Sequence, residues 1–92
     1  MAEEARTITK IKKYVSEKGG KTIKITLSET GTPDLLVAMP DIGMFLVETK
    51  AKRKKPTLIQ ERRMEEWNMS GGRAFWCDSL DSFIDNLKNK IL

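Results

Sequence analysis

Ninety-two residues, 39% hydrophobic and 33% charged, are enough for one modest core and do not fit a disordered chain. A net charge of +4 and a pI near 9.3 favour an anionic partner, because the Lys and Arg residues cluster. The absence of histidine excludes His-based triads, zinc fingers and His acid–base pairs, so a metal would rest on carboxylate and carbonyl oxygens, which favours magnesium or manganese.

The elements follow in a clear order. About Glu3 to Lys18 reads as a helix, with Ala5, Ile8, Ile11 or Lys12, and Val15 at helical spacing and Gly19-Gly20 as its stop. Lys21 to Leu27 alternates as a strand with one wetter face, and Ser28 to Gly31 is a turn. Leu35 to Met39 and Met44 to Thr49 are apolar strands around the turn Pro40-Asp41-Ile42-Gly43. A basic loop, Lys50 to Pro56, leads to Thr57, which can N-cap a helix to about Met69 with Glu61 in its first turn. Gly71-Gly72 ends that helix. Arg73 to Cys77 is a short aromatic strand, and Ser79 caps a last helix striped by Leu80, Phe83, Ile84, Leu87 and Ile91.

The order α-β-β-β-α-β-α predicts a mixed four-stranded sheet flanked by helices, of the α/β class, in a single domain over residues 1–92. The crossover helix implies one parallel strand pair in an otherwise antiparallel sheet. No apolar run reaches bilayer length, and the opening Met-Ala-Glu-Glu carries no apolar stretch, so a cytoplasmic location is expected. The lone Cys77 suits a reducing compartment and reads as buried packing. Trp67, Phe75 and Trp76 read as core residues.

Chemistry concentrates between Gly31 and Lys50. A three-residue loop, Asp41-Ile42-Gly43, pairs Pro40 with Met44, Leu36 with Glu48 and Asp34 with Lys50, with Gly43 supplying a left-handed residue. Leu35, Val37, Met39, Phe45, Val47 and Thr49 then share a core face, while Asp34, Leu36, Ala38, Leu46, Glu48 and Lys50 share the other. Asp34 falls opposite Lys50 and diagonal to Glu48, close enough for a shared site. Asp41, at the far end of the hairpin, is expected to support the turn.

Two carboxylates and a lysine so arranged can hold a divalent cation and stabilise charge on a phosphate; the same residues also fit an ordinary Glu48–Lys50 ion pair at a strand end. The loop from Lys50 to Lys55, five basic residues in six, suits a polyanion beside such a site and in isolation would read as a solvated loop. Gln60 shares a helix face with Met64 and Trp67; it either finds an inward partner or reaches solvent from the first turn.

Taken together, Gly31-x-Pro33-Asp34, thirteen residues, Glu48-x-Lys50, then Pro56-Thr57-x-x-Gln60 and Gly71-Gly72 resemble the virus-type replication-repair nuclease (VRR-NUC) domain of the PD-(D/E)XK superfamily. The likeness covers nearly the whole chain and implies a restriction-endonuclease-like core. It implies Asp34, Glu48 and Glu4 as ligands of Mg²⁺ or Mn²⁺, with Glu3 a rival to Glu4 and the Thr49 carbonyl an additional ligand. Lys50 would be the catalytic lysine and Gln60 its support on the following helix. Thr49 stands where the family often has an apolar residue. DNA would be held by Lys24, Lys52, Arg53, Lys54 and Lys55.

Stand-alone domains of this size resemble phage enzymes that cut branched DNA, such as Holliday junctions, as homodimers. The expected function is therefore a metal-dependent, structure-selective endodeoxyribonuclease. A DNA-binding module of the same fold without chemistry, or a nuclease on linear duplex, are the alternatives.

Overall fold

The computed structural model describes residues 3–26 and 28–91. Helix α1 (Glu3–Glu17) ends where Gly20 N–H donates to the Val15 carbonyl and Gly19 N–H to that of Ser16, a Schellman closure with Gly19 at φ +86°. Gly20 is held to glycine by proximity: a Cβ there would lie 2.4 Å from the Ala38 carbonyl oxygen. This close approach lays α1 against the sheet that follows.

Strands β1 (Lys21–Lys24), β2 (Leu35–Met39), β3 (Gly43–Thr49) and β4 (Ala74–Cys77) form a sheet in that order. β1–β2 and β2–β3 are antiparallel; β3–β4 is parallel, across helix α2 (Leu58–Met69). Helix α3 (Leu80–Asn86) follows β4 and runs into a π-helical turn, Leu87–Ile91. The fold is thus the expected mixed sheet flanked by helices. β1 is shorter than the strand expected to Leu27, which lies outside the described residues. Pairing lasts one bond beyond Lys24, from Ile25 N–H to the Asp34 carbonyl at 2.8 Å, before Asp34 turns its side chain to other work.

One sheet face carries the core. Ile11 and Val15 of α1 and Phe83 of α3 meet Leu35, Val37, Phe45, Val47, Phe75 and Cys77, all buried. Phe45 and Phe75 stack at 5.6 Å, and Phe83 closes on both at about 6 Å. Leu87 is buried with them, while Leu80, Ile84 and Ile91 pack at the margin, as the stripe on the last helix predicts.

Helix α2 packs against β4 on the other side. Asn68 brackets Ala74, accepting from its N–H at 2.7 Å and donating to its carbonyl at 3.0 Å. Thr57 and Gln60 form a reciprocal capping box at the start of α2. Phe75 is buried and Trp76 half-buried, but the assignment of Trp67 to the core is overturned: it is 47% exposed. The 12-residue α2 buries Met64 against the β4 side and leaves the sheet face over β1 and β2 uncovered, so the next residue of its stripe has no layer to enter.

The hairpin register also differs from expectation, by two residues. Met39 pairs with Gly43, Leu36 with Leu46 and Leu35 with Val47. The turn starts earlier than supposed: Ile42 N–H donates to the Met39 carbonyl, with Pro40 and Asp41 at its centre and Asp41 at φ +66°. Proline at the first central position and a left-handed residue at the second are what a type II turn requires. Gly43, at φ +90°, then opens β3. A two-residue slip preserves sidedness, so the core face is as predicted. Continued one rung past the ladder, this register sets Asp34 across from Glu48, with Lys50 diagonal.

Candidate metal centre

Asp34 precedes β2 and Glu48 is the penultimate residue of β3, so the register delivers both carboxylates to the same end of the sheet. Glu4, in the first turn of α1, joins them; one carboxylate oxygen of each residue lies within 4.8 Å of the others. Glu3, the rival, is exposed and outside this cluster. Lys50 Nζ lies 3.5 Å from Glu48 Oε2. Gln60 Nε2 donates to the same oxygen at 3.3 Å, while Gln60 Oε1 accepts from the Thr57 N–H at 2.9 Å. The capping box therefore fixes the amide that reaches Glu48, and the glutamine does have an inward partner.

Asp34 is held by one residue twice. Thr49 N–H donates to Oδ1 at 3.1 Å and Thr49 Oγ1 to Oδ2 at 2.6 Å. Thr49 is fully buried on the core face, as expected, yet its hydroxyl is bonded to the site. Sequence reasoning misses that role; the polar residue between Glu48 and Lys50, where an apolar one is usual, is its only signal.

The electrostatics are unfavourable by construction. Burial raises the Glu48 pKa to about 7, and the Asp34 charge adds to it; Lys50 opposes, and Glu4 adds a further push upward. Burial also raises Asp34, against the lowering effect of the two Thr49 hydrogen bonds and of Lys24. Partly desolvated carboxylates with oxygen-only donors fit a hard divalent cation, whose charge would offset the burial that raises both and the Asp34 repulsion felt by Glu48.

The loop after Lys50 runs straight into the α2 cap, so it joins two of the site's elements. Lys52, Arg53, Lys54 and Lys55 are all exposed, and Pro56 is buried as its anchor. Lys54 N–H closes a turn on the Ala51 carbonyl at 2.9 Å. Lys24 is exposed on β1.

No family model and no curated protein matches the sequence. Solved structures do. One described as "VRR_NUC domain" superposes with a TM-score of 0.85 at 26% identity, covering 98% of this chain and 99% of that one. Another, "VRR_NUC domain protein", gives 0.75 at 16% identity over 99% and 89%. The chain folds as a VRR-NUC domain. This is a nuclease-type fold. The VRR-NUC frame here has no helix, among the described residues, long and apolar enough to cross a membrane.

Proposed function

We infer that the protein is a divalent-metal-dependent endonuclease acting on DNA, with branched DNA as its preferred substrate. The observation that carries this reading is the convergence of Glu4, Asp34 and Glu48 with Lys50 and Gln60 at one end of the sheet. Glu4, Asp34 and Glu48 would hold Mg²⁺ or Mn²⁺, with the Thr49 carbonyl as an additional ligand. Such an ion, when bound, supplies Lewis-acid stabilisation to the phosphate undergoing attack.

The chain's own residues do the rest. Thr49 fixes both Asp34 oxygens, so that carboxylate is oriented before any ligand arrives. Gln60 and Lys50 both address Glu48 Oε2, favouring its ionised form against the burial that opposes it. Lys50, only 17% exposed and 3.5 Å from Glu48 Oε2, would orient the attacking water and neutralise charge that builds on the phosphate. Lys24, Lys52, Arg53, Lys54 and Lys55 supply the sequence-independent grip on the backbone.

A junction presents two matched strands, and a two-fold homodimer can address one with each subunit. The test is magnesium-dependent cutting of a synthetic four-way junction beside linear duplex of the same sequence. Junction cutting should exceed duplex cutting and vanish in folded Glu48→Ala and Lys50→Ala proteins. Cutting that survives either substitution would overturn the assignment, and equal cutting of both substrates would overturn the branched-DNA preference. A monomeric mass in solution, with and without DNA, would remove the dimer.

A further inference from the structure

Glu29 to Thr32, between β1 and β2, form a turn that reaches across to α2. Thr32 N–H and Oγ1 both donate to the Glu29 carbonyl, at 3.1 and 2.7 Å, and Gly31 takes φ +88° at the third position. Glycine is required there for a second reason. A Cβ on Gly31 would lie 3.0 Å from the Ile59 carbonyl oxygen and 3.1 Å from Arg63 Cγ. The backbone of the turn is thus seated directly on the first turns of the helix.

Arg63 fastens it there. Its Nη1 donates to both oxygens of Glu66, on the same helix, at 3.1 Å, which orients the guanidinium. Nε then donates across to the Thr30 carbonyl at 3.2 Å and lies 3.7 Å from Glu29 Oε2. Both carboxylates are exposed, so the ion pairs add little to stability. What the arginine supplies is the bond that joins the turn to the helix.

The turn and the helix each carry one part of the carboxylate site. Asp34 follows Thr32 through Pro33, which is fully buried and fixed in φ by its ring. Gln60 stands one turn before Arg63 on the same face of α2, and its Nε2 meets Glu48 Oε2 at 3.3 Å. That bond is near the outer limit of hydrogen-bond length and has little slack for a shift of the helix. α2 packs against β4 on one side, and its seat on the turn sets its position on the Asp34 side.

We propose that Arg63 is a positioning residue of the metal centre: it holds the Glu29–Thr32 turn on α2, and so fixes Gln60, and through it the Glu48 carboxylate, relative to Asp34. This role rests on the reading of Glu4, Asp34 and Glu48 as metal ligands. Without the clamp the fold persists, because the core lies on the opposite sheet face. Gln60 then no longer holds one Glu48 oxygen in place, and the ligand set loses its preorganisation.

The experiment is titration of the whole chain with Mn²⁺ alone, without DNA, followed by loss of the free-ion electron paramagnetic resonance signal. Circular dichroism confirms that each variant is folded at the temperature used. Gln60→Ala should weaken Mn²⁺ binding about 10- to 100-fold, the range for removing a group that orients a metal ligand. Arg63→Ala should weaken it about tenfold, and Arg63→Lys, which retains a donor for the Thr30 carbonyl, should recover part of that loss. The double variant should bind no more weakly than Gln60→Ala, because the arginine acts through the glutamine. Gly31→Ala, which pushes the turn off the helix from the opposite side, should reproduce the Arg63→Ala loss.

Equal Mn²⁺ affinity in wild-type and Arg63→Ala proteins would overturn the proposal while leaving the metal centre standing. Losses from Arg63→Ala and Gln60→Ala that simply add would also overturn it, since a residue with a merely structural role weakens binding independently of the glutamine. Failure of the wild-type protein to bind Mn²⁺ would instead remove the metal centre, and the role of Arg63 with it.

Discussion

Glu48→Gln should make the metal-free protein more stable while abolishing its chemistry. The Glu48 side chain is 6% exposed and its pKa stands at about 7 in place of the ordinary 4.5. The folded state therefore holds this proton more tightly than the unfolded chain does. Stability from this group is fully present below about pH 4.5 and is lost as pH rises through about 7, where both states are ionised. The resulting penalty is roughly 3 kcal/mol. Glutamine keeps the shape, can still meet Gln60, and carries no charge to desolvate.

The Lys50 ion pair is already contained in that shift, since it lowers the Glu48 pKa against burial. The expected gain is therefore roughly 3 kcal/mol at pH near 8, or on the order of 15 °C in Tm for a chain this size. The assay is thermal or urea denaturation in EDTA at several pH values. The advantage should be largest near pH 8 and shrink toward about pH 5, where little of the penalty remains. Saturating magnesium should narrow it too, since only the wild type gains from the ion. A variant less stable than wild type at pH 8 in EDTA would show that the carboxylate cluster is not under electrostatic strain, and would undercut the fit to a cation.

Thr49→Val removes the hydroxyl bonded to Asp34 but keeps the shape and the backbone bond; a stability loss of about 1–3 kcal/mol and a weaker response of activity to magnesium are expected, measured by denaturation and by titration of activity against metal. Replacing Lys52, Arg53, Lys54 and Lys55 by Ser should lower DNA affinity alike for all sequences, and should reduce the slope of log affinity against log salt by about 0.9 for each phosphate that the loop no longer neutralises. Cys77, fully buried and with its thiol pushed up to about 12, should resist thiol reagents until denaturant unfolds the chain; rapid labelling of the native protein would contradict the packing around it. Gly20→Ala must displace the Ala38 carbonyl from a 2.4 Å approach, and should cost at least about 2 kcal/mol by urea denaturation.

Local pattern carries its information over a few residues, and the readable parts of this chain are those decided at that range. Alternation in Leu35–Met39 and Gly43–Thr49 fixes which face is buried whatever the exact pairing, because the side-chain period is two and the actual register differs from the expected one by two. The capping box is equally local, since Thr57 and Gln60 are one turn apart. The pairing itself turned on whether Asp41 would take a positive φ after Pro40, an aspartate being able but not bound to do so. Thr49 and Asp34 are fifteen residues apart, and their bond exists only once the register is set. Trp67 shows the opposite limit. Its spacing from Gln60 and Met64 marks the stripe of α2 correctly, but burial depends on whether another layer lies beneath, and α2 alone cannot cover a four-stranded sheet.

The two sheet faces consequently answer to different constraints. On the core face every position is settled by volume: Phe45, Phe75 and Phe83 interlock, and a mismatch there costs packing. On the other face the chain accepts charges it must desolvate, an indole it leaves half in water and an apolar groove it does not fill. The burial cost of the carboxylates is one that a bound cation would relieve, and the aromatic core of the other face supplies the stability that offsets it.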